Sequence, residues 1–278
     1  QRDNSLDYCK SMFGFATDNE SYRSRLSFQE AVIDKNISEN GKTAVVLGEP
    51  KPTSYLDYLV GKNGEAVTYR GDFALRGMKQ YWLHTKEAAS VLGNNKDVGS
   101  DFYPYPKETS FTGQIRFSNL SEEELGMLLW SLLLEKNSQQ NIGKGKPYGF
   151  GRVEISLKQL NILDTAAMYD SETLCLEPYR EEKELCSEYV DKAKKDMTRF
   201  LGKDVMEHPP VRDFLLMKNG NEIPDDSKTH YMSIEGRDSD YQVRNREQIP
   251  LDTIGVVMGK EKRKTQAQTG QGSHGNGY

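Results

Sequence analysis

The stretch at residues 143–152 most constrains what this chain can fold into, because it places four glycines, three cations and two aromatics in ten positions. Glycine lets a backbone adopt positive φ and approach a ligand closely. Lysine and arginine beside it favour a phosphate-bearing partner. A phosphate-binding loop and a plain glycine-rich turn are both compatible with this composition. The candidate binding residues are Gly143, Lys144, Gly145, Lys146, Tyr148, Gly149, Phe150, Gly151 and Arg152.

The glycine-rich stretch follows a predicted helix and precedes a predicted strand. Residues 111–117 and 153–157 alternate between apolar and polar side chains, as half-buried strands do. Between them, Ser121 and Glu124 have the spacing of a capping box. Leucines then recur at helical spacing, at Leu125, Leu128, Leu129, Leu132 and Leu133. The pattern predicts an α+β fold with a helix on one face of a sheet.

Further elements are predicted on both sides of this unit. Residues 7–15 are typical of a helix end or turn that stops at Gly14. Residues 26–33 fit a strand with one buried face, and the alternation at 79–83 is compatible with another. Residues 181–201 predict a charged helix whose inward residues are Leu185, Tyr189, Ala193, Met197 and either Phe200 or Leu201. Gly202 is its predicted stop.

Charge and composition exclude several classes of protein. A formal net charge of -5 over 278 residues excludes a globally basic nucleic-acid binder, so any such surface must be local. The three cysteines form no CxxC pair, which favours a reduced, cytoplasmic chain. The apolar run at 125–134 is too short to cross a bilayer, and we expect no membrane partner. The four histidines lack metal-ligand spacing, so we expect neither a metal nor another cofactor.

Two other groups of cations are candidate binding residues. Arg23 and Arg25 stand just before the first predicted strand, where they would meet a polyanion at the sheet edge or form ion pairs with nearby acids. Arg76 and Lys79 lie in a basic, aromatic segment. The alternative for that segment is that its aromatic side chains are core and its cations are solvated.

Five motifs in order resemble those of RAMP proteins, in particular a type III CRISPR effector family with the same order and spacing. The motifs are MFGF at 12–15, SRLSFQEA at 24–31, LRGMKQYW at 75–82, FSNLSEEELG at 117–126 and GKGKPYGFG at 143–151. A single glycine-rich loop is weak support for any family, whereas several motifs in sequence are specific. The resemblance covers roughly residues 7–157.

The resemblance implies a ferredoxin-like, RRM-related RAMP fold with insertions and a partly helical C-terminal extension. It places a RAMP-like domain at residues 1–160, with an insertion at about 49–107, and an extension at 161–258. A basic, glycine-rich tail at 259–278 has the composition of a disordered segment. The family opens with a strand and a lysine-bearing helix that this sequence does not match, so we expect a chain lacking its N-terminal part.

The resemblance also implies a function, which is to grip the backbone of guide RNA (crRNA) beside other CRISPR effector subunits or RAMP domains. The candidate residues above would then contact RNA without reading its sequence. Two alternatives stay open: an RNA-cleaving RAMP endoribonuclease and a protein-interaction scaffold without RNA contact. The family's catalytic aspartate lies in the unmatched N-terminal region, so no catalytic residue is assigned and we expect no enzyme activity within this chain.

Overall fold

The computed structural model describes residues 6–48, 53–87, 99–170, 178–234 and 236–262. Its α-helices are α1 Tyr8–Phe13, α2 Tyr55–Tyr58, α3 Glu122–Leu133, α4 Thr165–Met168, α5 Cys186–Leu201, α6 Pro209–Lys218, α7 Asp226–Thr229, α8 Asp240–Glu247 and α9 Ile254–Val257. Its strands are β1 Phe15–Ala16, β2 Ser21–Tyr22, β3 Leu26–Phe28, β4 Val32–Ile33, β5 Thr43–Val46, β6 Leu59–Val60, β7 Ala74–Leu75, β8 Gly99–Phe102, β9 Phe111–Thr112, β10 Ile115–Phe117, β11 Gln140–Asn141, β12 Arg152–Val153, β13 Asn161–Leu163 and β14 Tyr179–Glu181.

The chain is a mixed helix-and-strand protein whose described strands form small two-stranded sheets. It divides into two compact units, each built from three chain segments. The first unit comprises Gln1–Thr43, Phe102–Gln140 and Val153–Leu215, and the second comprises Ala44–Asp101, Asn141–Arg152 and Leu216–Tyr278. The sequence boundary at residue 160 stays a prediction, and most of the predicted tail, residues 263–278, lies outside the described residues.

Helix α3 organises the core of the first unit. Ser121 caps it and forms the predicted capping box with Glu124, which satisfies free N–H groups of the first turn. Leu125 and Leu129 pack with Leu160 and Tyr189. The neighbouring Leu128 packs with Met12 and Leu26, the latter on β3. The capped amphipathic helix predicted from the sequence is therefore confirmed.

Helices α3 and α5 approach closely at a glycine. A Cβ built at Gly126 would overlap the carbonyl oxygen of Tyr189 and lie 3.0 Å from the Cβ of Ala193. Both of these α5 residues are buried, as predicted. The α5 helix begins at Cys186, five residues later than predicted, and ends at Gly202 in the left-handed conformation, as expected. Phe200 is 82% exposed and Leu201 is half-buried, so Leu201 is the inward residue of the two alternatives. Leu185 is 37% exposed and precedes the helix, so its prediction as an inward residue is wrong.

The strands of the first unit are shorter than the sequence pattern suggested. β3 pairs antiparallel with β10, placing Leu26 opposite Phe117, and β4 pairs antiparallel with β9. The predicted strand at 111–117 is thus interrupted between β9 and β10. At this interruption a Cβ at Gly113 would lie 3.2 Å from the Cβ of Ala31. The predicted strand at 153–157 is also wrong in length, because β12 ends at Val153.

The second unit has its own buried apolar side chains, which include Val45, Leu56, Leu59 and Leu83. Strands β6 and β7 pair antiparallel, with Leu59 opposite Leu75. The residues from Lys79 to Leu83 are not part of a strand, so the possible strand there is not formed. The irregular segment that ends at Leu83 lies near the glycine-rich stretch, as the contacts below show.

Candidate nucleic-acid interface

The glycine-rich loop (residues 143–152) has a backbone path set by left-handed residues. Gly145 and Gly149 cap a single 3-10 turn at Lys146–Tyr148, and both have positive φ, of 74° and 86°. At the base of the loop the N–H of Ile142 donates to the carbonyl of Gly151 at 2.8 Å. The loop is therefore an ordered, closed turn.

Two of the loop glycines are required by close contacts as well as by φ. A Cβ at Gly149 would overlap the carbonyl oxygen of Lys86, and a Cβ at Gly151 would overlap that of Ile142. Gly143 has a positive φ of 72° but open space around its Cβ position. The second half of the loop is thus the part held tightly by neighbouring backbone.

The aromatic side chain of Tyr148 holds the loop in place. Its hydroxyl donates to the carbonyl of Val46 at 2.7 Å, and its ring centroid lies 5.0 Å from that of Tyr231. Burial and the neighbouring Tyr231 raise the pKa of Tyr148 to about 12. Phe150 is half-buried. Tyr148 therefore makes the internal contacts of a structural residue, and stacking of either ring on a base stays a prediction.

Three lysines, here called the lysine group, lie on or beside the loop: Lys79, Lys144 and Lys146. The Nζ atoms of Lys79 and Lys146 lie 5.2 and 5.4 Å from the ring centroid of Tyr81. Lys146 also donates to the carbonyl of Gly143 at 2.8 Å, and Lys144 is exposed. Within the described ranges, none of the three forms a salt bridge with a carboxylate. The lysine group therefore concentrates positive charge at this part of the second unit.

A fourth cation, Lys218, lies beneath this group and was not found from the sequence. It is the last residue of α6 and only 3% exposed. Its Nζ donates to the side-chain oxygen of Asn141 at 2.5 Å and to the carbonyl of Tyr81 at 3.3 Å. Burial and the charge of Lys146 lower the pKa of Lys218 to about 8. No local pattern marks this lysine, since its partners are 77 and 137 residues away.

The end of the loop is tied to a buried histidine segment. Arg152 donates from Nη1 to the carbonyl of His84 at 2.9 Å. The Nδ1 atom of His84 lies 3.4 Å from Oδ1 of Asp226, which also accepts from the N–H of Thr85. Burial lowers the pKa of His84 despite the nearby carboxylate. Asp226 therefore anchors the segment that supports the end of the loop.

The arginine candidates have different surroundings. Arg25 forms an ion pair with Glu124 and also donates to Ser11 and Asn119. An ion pair with a nearby acid was the alternative to contact with a polyanion for this residue. Arg23 is exposed in the same unit. In the second unit, Arg76 donates from Nε to the carbonyl of Leu59 at 3.1 Å, and burial lowers its pKa. RNA contact by these three arginines stays a prediction.

Residues 6–262, outside the gaps given above, contain no helix long and apolar enough to cross a membrane. In the same ranges no three His, Cys, Asp or Glu side chains are grouped as metal ligands. No protein-family model matches the chain, and no curated protein matches it either.

Proposed function

We propose that this chain is a guide-RNA-binding RAMP subunit or domain of a type III-like CRISPR effector complex, and that the glycine-rich loop grips the RNA backbone. The ordered motifs resembling those of the family support this proposal. The unit in which β3 and β10 pair and pack on α3 is compatible with part of a ferredoxin-like fold. Cytoplasmic location and partnership with other effector subunits belong to the same proposal.

The lysine group is the observation that carries the RNA-binding proposal. Two ammonium groups share the ring of Tyr81, and Lys144 is exposed on the same loop. A cation over an aromatic face is stabilised but keeps its positive charge. A polyanion such as RNA supplies the negative charge that the described residues around these lysines do not supply through salt bridges.

The shape of the loop supports contact with phosphate rather than with bases. Gly143 has open space at its Cβ position and the neighbouring Lys144 is exposed, so the first part of the loop can approach phosphate oxygens. The ring of Tyr148 is engaged by Val46 and Tyr231. Recognition of phosphate and sugar does not depend on base identity, as a subunit that accepts any guide sequence requires.

The experiment is a titration of fluorescently labelled single-stranded RNA at two salt concentrations, with Lys144→Ala/Lys146→Ala as the test variant. We expect weaker binding and a shallower salt dependence, by about 0.7 in the log–log slope for each lost phosphate contact. Lys62→Ala is a matched control, since Lys62 is an exposed lysine of the same unit paired with Asp72. It should bind RNA like the parent.

Two outcomes decide against the proposal. Unchanged affinity and unchanged salt slope in the double variant would show that the loop does not contact RNA. An absence of measurable RNA binding by the parent at low salt would favour the protein-interaction scaffold. Gel analysis of the same RNA after incubation reports separately on the endoribonuclease alternative.

A further inference from the structure

Lys218 combines two features that are costly to a protein: it is charged and it is buried. Its exposed fraction is 3%. Removing an ammonium group from water is unfavourable unless hydrogen bonds and opposite charge compensate. Two of the groups that accept hydrogen bonds from its Nζ are the side-chain oxygen of Asn141 and the carbonyl of Tyr81.

Like charge adds to this cost. Lys146, on the glycine-rich loop, is close enough that its charge helps burial to lower the pKa of Lys218 to about 8. Lys218 is therefore mostly charged at neutral pH, and the free protein holds two mutually repelling cations at the loop. An anion bound beside Lys146 would replace this repulsion with attraction.

The two hydrogen bonds of Lys218 join the segments that carry the lysine group. Asn141 ends β11 and lies two residues before Gly143, so it fixes where the loop begins. Tyr81 contributes its carbonyl to Lys218 and its ring to Lys79 and Lys146. A single buried side chain thus sets the start of the loop relative to the ring that Lys79 and Lys146 contact.

We infer that Lys218 is a positioning residue for phosphodiester binding, which holds the loop and the Tyr81 segment in the arrangement that presents the lysine group to RNA. This inference rests on the proposed function of the loop. Lys218 itself need not touch RNA, and its effect passes through Lys144 and Lys146.

The test compares the RNA affinity and thermal stability of Lys218→Met with those of the parent. Methionine keeps the length and apolar stem of the side chain but removes the charge and both hydrogen bonds. We expect RNA binding by the folded variant to weaken about tenfold, an effect of the size seen between coupled residues, and the melting temperature shows that folded proteins are being compared. Lys228→Met, which changes an exposed lysine on α7 of the same unit, is the control and should change neither quantity.

A double-mutant cycle separates positioning from a purely structural role. In the Lys144→Ala/Lys146→Ala background, Lys218→Met should weaken RNA binding less than twofold further, because the residues through which it acts are gone. Asn141→Leu, which removes the acceptor but keeps the charge of Lys218, should weaken binding in the same direction. This variant carries the test if Lys218→Met does not fold.

The inference is wrong if Lys218→Met or Asn141→Leu is folded and binds RNA like the parent while the double lysine variant is impaired. It is also wrong if the effects of Lys218→Met and of the loop lysines are additive. If Lys144→Ala/Lys146→Ala binds RNA like the parent, the proposed function of the loop is wrong. This outcome differs from the one that contradicts the role of Lys218, so the two can be distinguished.

Discussion

In the first unit the guanidinium of Arg25 is enclosed by Ser11, Asn119 and the carboxylate of Glu124, whereas in the second unit Lys79 and Lys146 face the ring of Tyr81. The side chains of the Arg25–Glu124 pair are only 16% and 14% exposed. Cations of the same formal charge thus have opposite surroundings. The charge of Arg25 is compensated by Glu124 within the first unit, while the lysine group forms no salt bridge with a carboxylate of the described residues.

Packing also differs between the α3–α5 contact of the first unit and the glycine-rich loop of the second. In the first unit α3 and α5 lie so close that only glycine fits at position 126. In the glycine-rich loop of the second unit, close backbone contacts are confined to Gly149 and Gly151, and Tyr148 and Arg152 add single polar contacts. The comparison teaches that substitutions in the first region should be measured as stability, and those in the second as RNA affinity.

The largest expected effect is that of Gly126→Val. Its side chain would overlap the backbone of Tyr189, so the two helices must separate and core contacts are lost. We expect the free energy of unfolding to fall by about 3 kcal/mol, as measured by chemical denaturation. Gly41→Ala is the control, because its Cβ position has open space, and it should change stability by less than about 0.5 kcal/mol. A stable Gly126→Val protein would contradict the close packing of α3 on α5.

A smaller loss in the free energy of unfolding is expected for Arg25→Met, which leaves the carboxylate of Glu124 without the guanidinium of Arg25. The expected cost is about 2 kcal/mol, since a partly buried acceptor loses a charged donor. RNA affinity per folded molecule should change less than in Lys144→Ala/Lys146→Ala. A large loss of RNA affinity without a loss of stability would show that Arg25 contacts RNA. It would contradict the contrast between Arg25 and the lysine group.

The same pair predicts a dependence on pH. Burial alone would raise the pKa of Glu124, but hydrogen bonds from Arg25, Ser11 and the Ser121 backbone lower it overall. The stabilisation is therefore complete above the unfolded pKa of about 4.3 and is lost as pH falls through the lower folded value. The stability difference between the parent and Arg25→Met should shrink over that acidic range. A constant difference down to acid unfolding would contradict the assigned ion pair.

A loss of stability of about 2 kcal/mol is expected for Gly151→Ala, because alanine is strained at its positive φ and its Cβ has no room. RNA affinity should fall more clearly, since the Cβ also overlaps the Ile142 carbonyl at the base of the loop. Gly143→Ala shares the positive φ but not the overlap, and is the matched control. Equal RNA affinity of the two variants would show that the base of the loop tolerates movement.

Local sequence patterns predicted the structural features that depend on residues close together in the chain. The capping box of Ser121 and Glu124 and the helix stops at Gly14 and Gly202 all form. These features follow from the hydrogen-bond needs of helix ends, which a short window of sequence contains. Strand lengths were less predictable, because pairing depends on distant partners such as Ala31 opposite Gly113.

The candidate site was predicted only in its exposed half. The glycines and lysines of the loop stand out in composition. The residues that support the loop do not stand out in composition. Lys218, Asn141 and Asp226 are ordinary polar residues, and their contacts join positions 77 to 141 residues apart in the chain. The second role of Glu124, as the partner of Arg25, was hidden for the same reason.

The tight turns at Gly149 and Gly151 have a consequence for how this loop can change during evolution. Because neighbouring carbonyl groups exclude a side chain at both positions, the path of the loop is encoded by glycine. The exposed Lys144 lies outside those constraints. The backbone path and the charge of the loop therefore depend on different positions, so a substitution at Lys144 can change the charge while the backbone path is kept.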